Sequence, residues 1–335
     1  MNLIFSSVSD INQLQWNELV ATSSTASFFQ TRECYDFYAS LSFMQPFIFG
    51  VSENDKLVGV VCGYVIADGN FVKQFFSRRA IIPGGLLLDK DISLETLQLL
   101  LHQLKKELSK KCIFIEIRNF NDYSSFRSTF ETVGFNYQPH LNFHISTQHA
   151  DSALSQLNTT KRRDIKLSAK EGAEWYESKN IEDVKMYYSM LRELYQHKIK
   201  TPLFPSEFFE KLVQLSNGKL FIVKYKDGII GGSVCVLFPD NTVYEWFVCG
   251  LDGQIKNVYP STLATWAGIE FAAANRYNRF DMMGAGKPNE GYGVREFKSK
   301  FGGELVEHGR FLYLCNPALY SLGKYIIGKL KSKKK

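Results

Sequence analysis

The feature that most constrains the fold is a pattern of strands and turns that occurs twice in the sequence. The segments Leu57-Val-Gly59 and Ile229-Ile-Gly231 begin matching strands, and their positions differ by 172 residues. A short polar turn precedes each, at residues 52–55 in the first copy and 226–228 in the second. Polar turns between apolar runs predict β-hairpins. Two copies of one such unit indicate a duplicated fold and argue against a solenoid of short repeats.

A helix and a further strand follow the hairpins in both copies. In the first copy, Ser93 is the predicted N-cap of a helix whose leucines recur at helical spacing as far as Leu108. In the second copy, a predicted helix over residues 261–275 precedes a predicted strand over residues 279–283. Another strand is predicted over residues 71–76 of the first copy. The order of elements therefore agrees between the two halves.

Size and composition fit two globular domains. The chain has 335 residues, of which 45% are hydrophobic and 22% are charged. We expect the boundary near residues 148–155, which gives domains over residues 1–150 and 151–316 and a tail over residues 317–335. The sequence has no apolar run of roughly 18 residues and no signal-peptide pattern at its start. We therefore expect a cytoplasmic location.

The net charge of +6 resides in the tail. Six lysines lie between Gly323 and Lys335, and without them the chain has 34 basic and 34 acidic residues. A neutral body does not support broad attraction to nucleic acid, so any anion site is local. Residues 317–330 read as an apolar-striped helix that leads into the lysines. Such a tail either packs on the second domain or makes peripheral contact with an anionic membrane.

Cysteine and histidine spacing gives no metal or nucleophile pattern. The six cysteines contain no C-x-x-C pair, and most lie in strand-like runs, which is typical of buried reduced thiols. His140 and His144 share one face of a predicted strand, but a third ligand is missing, so we expect a pair of surface histidines and no metal site. No Ser-His-Asp or Cys-His arrangement is evident. Direct attack by a substrate amine is therefore the simplest mechanism for an enzyme of this kind.

Residues 281–303 form the most informative stretch. Asp281 lies near the end of a predicted strand, and a loop with four glycines follows, among them Gly284 and Gly286. A short predicted helix then ends at Gly302-Gly303. Glycines after a strand let the backbone approach a ligand closely. The loop is not a phosphate-binding P-loop, because that pattern needs a glycine where Asp281 stands and a serine or threonine at Pro288.

The end of this stretch, Phe297-Lys298-Ser-Lys-Phe301-Gly302-Gly303 before a further strand, resembles the C-terminal signature of the FemABX-like peptidyltransferases. The resemblance covers nearly the whole chain. It implies an α+β (mixed α/β) fold of two tandem GNAT-like domains, each a mostly antiparallel twisted sheet flanked by helices. Members of that family add amino acids to peptidoglycan precursors. Their relatives include acyltransferases of envelope polysaccharide loci.

The resemblance places Lys298 in a catalytic cavity, where it stabilises charge on the aminoacyl ester carbonyl or anchors the donor. Aminolysis of an ester builds an oxyanion, and a positioned ammonium group stabilises it. The alternative is a solvated lysine, as we expect for Lys300. Asp281 and Tyr259 are candidates to relay the proton of the amine, with buried polar packing as their alternative role. The predicted substrate-binding residues beside them are Phe297, Gly284, Gly286 and Tyr292.

A basic helix over residues 157–172 resembles the family's helix in which an arginine binds the diphosphate of the acceptor. Arg162, Arg163 and Lys166 lie within about one helical turn, and guanidinium groups suit phosphate. A solvated basic face is the alternative. Family members often carry a lysine near the first Phe-x-Gln/Ser segment that also reaches the phosphate. Here Arg32 is the only cation near that segment.

The expected function is transfer of an aminoacyl or acyl group to an amine of a phosphate-linked envelope precursor such as peptidoglycan. The donor is the acceptor end of an aminoacyl-tRNA or an acyl-CoA, and no further cofactor is expected. Neither residues 81–86 nor residues 250–261 carry the CoA pattern Q/R-x-x-G-x-G/A, which weighs against CoA. The absence of an inserted coiled-coil hairpin removes one argument for tRNA. The alternatives are an acyl-CoA-dependent N-acyltransferase acting on an amino sugar of surface polysaccharide, and a non-catalytic precursor-binding protein.

Overall fold

The computed structural model describes residues 2–68, 74 and 76–332. The chain divides into two compact units, one of residues Met1–Pro139 with His308–Lys335 and one of residues His140–Glu307. We call them unit 1 and unit 2. The sequence placed the boundary later, near residues 148–155. Each unit contains one sheet with mostly antiparallel pairing, so the predicted mixed α/β fold is confirmed.

The described residues form fifteen strands. They are β1 Asn2–Phe5, β2 Gln45–Glu53, β3 Lys56–Ile66, β4 Arg79–Gly84, β5 Leu87–Leu88, β6 Phe114–Asn119, β7 Asn136–Gln138, β8 Leu141–Ser146, β9 Ala173–Ser178, β10 Gly218–Tyr225, β11 Gly228–Phe238, β12 Thr242–Gly250, β13 Arg279–Asp281, β14 Glu304–Glu307 and β15 Arg310–Leu314. Both predicted hairpins are present, as β2–β3 and β10–β11. The strand predicted over residues 71–76 lies for the most part outside the described residues, and its two described residues, Gln74 and Phe76, are helical and not extended.

The α-helices of the described residues are α1 Gln13–Thr22, α2 Arg32–Ser40, α3 Leu94–Leu108, α4 Arg127–Thr132, α5 Ala150–Gln156, α6 Thr159–Lys170, α7 Ile181–Leu194, α8 Ser206–Gln214, α9 Pro260–Ala274, α10 Gly293–Ser299 and α11 Pro317–Ser332. Local sequence explains where several of them begin. The side chains of Asn12, Thr31, Ser93 and Asn158 accept hydrogen bonds from N–H groups of the first turns of α1, α2, α3 and α6. The predicted cap at Ser93 is confirmed.

The sheet of unit 1 has the order β1-β2-β3-β4-β6-β15-β7, with β5 paired to β3. Leucines of α3, including Leu97, Leu101 and Leu104, are buried in its core together with residues of β2, β3 and β6. Each fully buried leucine side chain contributes about 1.5–3 kcal/mol. The amphipathic pattern of α3 is therefore what attaches this helix to the sheet.

A charged cluster joins β6 and β15 within this sheet. The Glu116 carboxylate lies 3.0 Å from Arg118 and 2.6 Å from Arg310. Burial alone would raise the pKa of Glu116, but the two guanidinium groups lower it to about 2. The cluster fixes a carboxylate as an anion between two cations, so the folded state holds it ionised at neutral pH.

The sheet of unit 2 has the order β14-β8-β13-β12-β11-β10-β9. Its core contains Phe221, Cys235, Ala267, Phe280 and Met282, so α9 packs on the central strands. The strand β8 belongs to this sheet, although it precedes the predicted boundary, and it pairs with β13 and β14. Conversely, β15 follows the second half in sequence but belongs to the sheet of unit 1. Each sheet thus includes a strand from the other side of the predicted boundary.

Two neighbouring strands of unit 2 pair over a short length and then separate. The parallel pairing of β12 with β13 covers only Thr242–Tyr244 and Arg279–Asp281. On the other side of β12, the register places Val234 opposite Phe247 and Cys235 opposite Glu245, which leaves Trp246 as an extra residue. This β-bulge redirects the side chains of β12 just beyond the point where its pairing with β13 ends. The candidate site lies where the pairing of these two strands ends.

The tail forms the predicted helix, α11, but this helix packs on unit 1, whereas one of the two expectations placed it on the second domain. The Tyr320 ring packs edge-on against Phe114, with centroids 5.3 Å apart, while Leu322 and Tyr325 are exposed. Lys333, Lys334 and Lys335 lie outside the described residues. No helix in the described part of the chain is long and apolar enough to cross a membrane.

Candidate functional site

Lys298 lies inside unit 2 and not on its surface. It is the buried residue of α10, with 7% of its surface exposed, whereas Lys300 two residues later is exposed. The Lys298 ammonium group donates hydrogen bonds to the carbonyl of Met282 and, at 2.8 Å, to that of Gly284. Both carbonyls follow β13, where the chain turns away from β12. The alternative of a solvated lysine therefore does not hold for Lys298.

The electrostatic surroundings of Lys298 are unusual for a lysine. Burial lowers the pKa of its ammonium group, and the carboxylates of Glu245 and Asp281 oppose that decrease. An ammonium group in a site of low polarity interacts more strongly with a developing negative charge than it would in water. Two of its three N–H groups have backbone partners, which leaves one for a substrate oxygen.

The glycine loop after β13 is fixed from two sides. The Gly284 N–H donates to Asn142 Oδ1 at 2.8 Å, and the Gly286 carbonyl accepts from the Leu141 N–H at 2.8 Å, so β8 holds the beginning of the loop. The Arg295 guanidinium group of α10 donates to the Ala285 carbonyl at 2.8 Å and to other carbonyls of the loop. Gly284 has φ +103°, which only glycine adopts without strain. The loop is therefore a preorganised part of the site.

Asp281 is buried at the end of β13 and holds this region together. Its Oδ1 accepts from Asn142 Nδ2 and from the Met283 N–H, both at 2.7 Å, and its Oδ2 lies 3.1 Å from His144 Nε2. Burial alone would raise the pKa of Asp281, but His144 and Asn142 hold it below its ordinary value. The two histidines were expected on the surface, whereas His144 is largely buried against Asp281. These contacts place Asp281 within the buried polar packing of unit 2, and its expected role as a proton relay stays a prediction.

Glu245 was not identified from the sequence. It is only 3% exposed, and neither carboxylate oxygen accepts a hydrogen bond from the described residues. Burial raises the pKa of Glu245, and the Lys298 ammonium and the Thr265 hydroxyl limit that rise. The sequence contains one indication of a buried carboxylate here: Glu245 is the single charged residue of the strand Thr242–Gly250. A buried carboxylate thus accompanies the buried ammonium where β12 and β13 separate.

Lys161 is a second buried lysine, and it too was not identified. It is 5% exposed, donates to Thr262 Oγ1 at 2.6 Å, and places its ammonium group 4.0 Å from the centroid of the Phe297 ring and 4.9 Å from that of Phe301. Burial lowers its pKa to about 8. The Phe297 ring therefore packs against the Lys161 ammonium group, which joins α6 to α10. The hydrogen bond to Thr262 joins α6 to α9.

The three predicted phosphate ligands lie on the opposite face of α6. Arg162, Arg163 and Lys166 line a shallow depression of about 390 Å³ together with Thr159, Leu167 and Lys170. Helical spacing separates them from the inward-facing residues Lys161, Asp164 and Ser168. The structure thus brings together the three basic residues singled out in the sequence.

The remaining predicted residues have more peripheral positions. Tyr259 immediately precedes α9, and its N–H donates to Ser168 Oγ at 3.0 Å. Tyr292 immediately precedes α10 and is 44% exposed. Arg32 belongs to α2 of unit 1, where its guanidinium group lies 2.9 Å from Asp36. Within unit 2, the structure therefore brings together Lys298, Asp281 and the glycine loop, while Arg32 lies in the other unit.

The cysteines and the acidic and imidazole groups show no metal centre in the described part of the chain. All six cysteines are free, five of them buried and Cys315 partly buried.

Solved structures establish the class of the fold. A crystal structure of FemX shares 15% identity with this chain and has a TM-score of 0.70, covering 93% of this chain and 98% of FemX. A tandem GNAT protein from the clavulanic acid biosynthesis pathway has 9% identity and a TM-score of 0.58, covering 95% and 99%. L-PGS from Bacillus licheniformis has 11% identity and a TM-score of 0.56, covering 93% and 96%. The chain therefore has a tandem GNAT-like fold.

The family follows from the sequence match. The FemAB family model matches residues 136–327, which is more than half of the chain and includes all the site residues of unit 2. The chain belongs to the FemAB family. No curated protein matches it. Membership of this family and the GNAT-like fold support a transferase of aminoacyl or acyl groups in cell-envelope synthesis.

Proposed function

We propose that this protein transfers an aminoacyl group from an aminoacyl-tRNA to an amine of a phosphate-linked precursor of peptidoglycan. The observation that carries the proposal is the buried Lys298 ammonium group, fixed by two backbone carbonyls where β12 and β13 separate. Attack of the amine on the ester carbonyl forms a C–N bond and places negative charge on the carbonyl oxygen. Lys298 stabilises that oxyanion, and the ester C–O bond then breaks as the proton of the amine passes to the leaving ribose oxygen.

The experiment that tests the function is a transfer assay with two kinds of donor. We expect transfer from aminoacyl-tRNA to a UDP-linked muramyl peptide, and none from acetyl-CoA. Since neither candidate pyrophosphate loop has the CoA pattern, acetyl-CoA should bind no more tightly than about millimolar, which corresponds to about 4 kcal/mol. Calorimetry that shows micromolar binding of acetyl-CoA, with acyl transfer to an amino sugar, would replace this proposal with acyl-CoA-dependent N-acylation. Binding of the precursor without transfer from either donor would indicate a non-catalytic protein.

The basic face of α6 is proposed to bind the diphosphate of the acceptor. Replacing Arg162 or Arg163 with alanine is expected to raise the KM for the diphosphate-linked acceptor about 10- to 100-fold, because a charge-assisted contact to phosphate is lost. The KM for the same peptide without diphosphate should not change. Lys185→Ala is the control, since this exposed lysine on α7 pairs only with Glu182 among the described residues. Equal effects on both acceptors would assign the arginines a role other than phosphate binding.

The tail is proposed to bring the protein to the surface of an anionic membrane. Exposed Leu322 and Tyr325 on α11 precede the five lysines of residues 329–335 and fit this role. Deleting residues 329–335 should abolish salt-sensitive co-sedimentation with vesicles that contain phosphatidylglycerol, since each lysine contributes about 1 kcal/mol near such a surface. Identical sedimentation of the full-length and shortened chains at low salt would reduce the tail to a solubilising end.

A further inference from the structure

The carboxylate of Glu245 has no role in the reaction described so far. It lies on β12 immediately after the pairing with β13 ends, and it is almost completely buried. Neither of its oxygens accepts a hydrogen bond from the described residues. Buried carboxylates are normally hydrogen-bonded or paired, because removing their charge from water is costly. A buried carboxylate with both oxygens unsatisfied therefore calls for a partner that binds during function.

The surroundings of Glu245 indicate the charge of that partner. The Lys298 ammonium is near enough to act on the carboxylate electrostatically, yet its hydrogen bonds go to Met282 and Gly284. The Thr265 hydroxyl on α9 is the other group that acts on Glu245: it faces the carboxylate as a hydrogen-bond donor and lowers its pKa, but the two groups do not reach the geometry of a full hydrogen bond. The site therefore contains an acceptor of hydrogen bonds, Glu245, beside a donor, Lys298. A ligand that fits both has a cationic donor group close to an electronegative oxygen.

We propose that Glu245 binds the α-ammonium group of the aminoacyl donor while Lys298 contacts its ester carbonyl oxygen. This inference rests on the proposed function. In an α-amino ester, standard bond lengths place the amino nitrogen and the carbonyl oxygen about 3 Å apart. The two groups therefore meet two neighbouring protein groups of opposite charge. Glu245 is then a residue that selects donors with a free α-amine, and a simple acyl group such as acetyl leaves its carboxylate without a partner.

The amine of the acceptor is the alternative partner for Glu245. In that case the carboxylate would remove a proton from the acceptor amine as it attacks the ester. We favour the α-ammonium group because it is covalently attached to the carbonyl that Lys298 stabilises, so one bound group satisfies both residues. The two roles differ in a measurable way. Binding of the donor α-ammonium depends on the state of the donor amine, whereas proton removal from the acceptor does not.

The test uses a pair of stable donor analogues, 3′-alanylamino-3′-deoxyadenosine and the same compound with its α-amine acetylated. The wild-type full-length chain should bind the free amine at least about 100-fold more tightly in calorimetry, because acetylation removes a charge that a buried carboxylate requires. The Glu245→Gln variant should lose this preference through weaker binding of the free amine. Equal binding of the two analogues by the wild-type protein would overturn the proposal without any substitution. A preference that survives in Glu245→Gln would overturn it as well.

Transfer assays with alanyl-tRNA and N-acetylalanyl-tRNA separate this inference from the proposed function. Wild-type transfer should favour the free amine by the same factor, and Glu245→Gln should reduce it for that donor alone. If Glu245→Gln slows transfer equally from both donors, the residue acts on the acceptor and the inference is wrong. If no donor supports transfer but the analogues still differ in binding, the proposed reaction fails while the α-ammonium site stands. Thermal unfolding of the variant monitors its fold, and glutamine keeps the size of the side chain.

Discussion

Replacing Lys298 with methionine is expected to reduce the rate of aminoacyl transfer about 1,000-fold, with a smaller effect on donor binding. The magnitude follows from removing one preorganised donor to an oxyanion, which typically reduces kcat by about 100- to 1,000-fold, together with the buried position of this ammonium group. Single-turnover rates with saturating donor and acceptor give the measurement. They separate loss of the chemical step from loss of binding.

The matched control is Lys300→Met, two residues later on the exposed side of the same segment, and it should leave the rate within about 2-fold. Lys298→Met also leaves the carbonyls of Met282 and Gly284 without their donor, so we expect some loss of stability. Rates are therefore compared well below the unfolding midpoint of the variant. A folded Lys298→Met protein with wild-type turnover would exclude the oxyanion role.

Replacing Glu116 with glutamine is expected to reduce the free energy of unfolding by about 3 kcal/mol at pH 7. The Glu116 pKa is about 2 in the folded protein against an ordinary value of 4.5, and each pKa unit corresponds to about 1.4 kcal/mol. The side chain is only 16% exposed, so solvent screening is limited. Because the folded pKa is the lower one, this stabilisation is present above pH 4.5 and is lost as the pH falls towards 2.

Urea unfolding at pH 7 and at pH 3 measures this contribution. The difference between wild type and Glu116→Gln should be smaller at pH 3, because the unfolded wild-type chain then binds a proton at Glu116 that the folded chain still largely excludes. Glu131→Gln is the control, since Glu131 pairs with Arg127 at 3.1 Å on an exposed helix surface and its loss should change stability by less than about 0.5 kcal/mol. A difference that does not depend on pH would mean that packing, and not charge, accounts for the role of Glu116.

Local patterns predicted the elements of the fold but not all of their partners. The turns before Leu57 and Ile229, the leucine spacing of α3 and the cap at Ser93 are properties of short segments, and the structure has each of them. The assignment of β8 to unit 2 and of β15 to unit 1 depends on pairing between distant segments. Strand patterns show which residues face a core, but they do not show which sheet a strand joins.

The site residues also divide into those that a local sequence pattern indicates and those that only the packing of the fold brings together. Lys298 was singled out because the surrounding Phe-Lys-x-x-Phe-Gly-Gly segment resembles that of a known family. In the run Lys161-Arg162-Arg163, the three cations look equivalent in sequence, and only the packing of α6 shows that Lys161 turns inward while the arginines face outward. Glu245 was not singled out, because its position depends on the bulge in β12 and on the point where the pairing of β12 with β13 ends. Neither feature can be read from the sequence of one strand.

The position of β15 in the sheet of unit 1 has a consequence for biosynthesis. This strand lies between β6 and β7, both of which are made well over a hundred residues earlier. As the chain leaves the ribosome, the N-terminal segment therefore cannot complete its sheet when its own residues have emerged, and the edge of β6 remains open until Arg310–Leu314 are made. Domains that fold in order of synthesis shield their edges early, whereas here the first sheet is completed almost last. The nascent chain therefore carries an unpaired strand edge, to which strands of other chains can add, from the synthesis of β6 until that of β15.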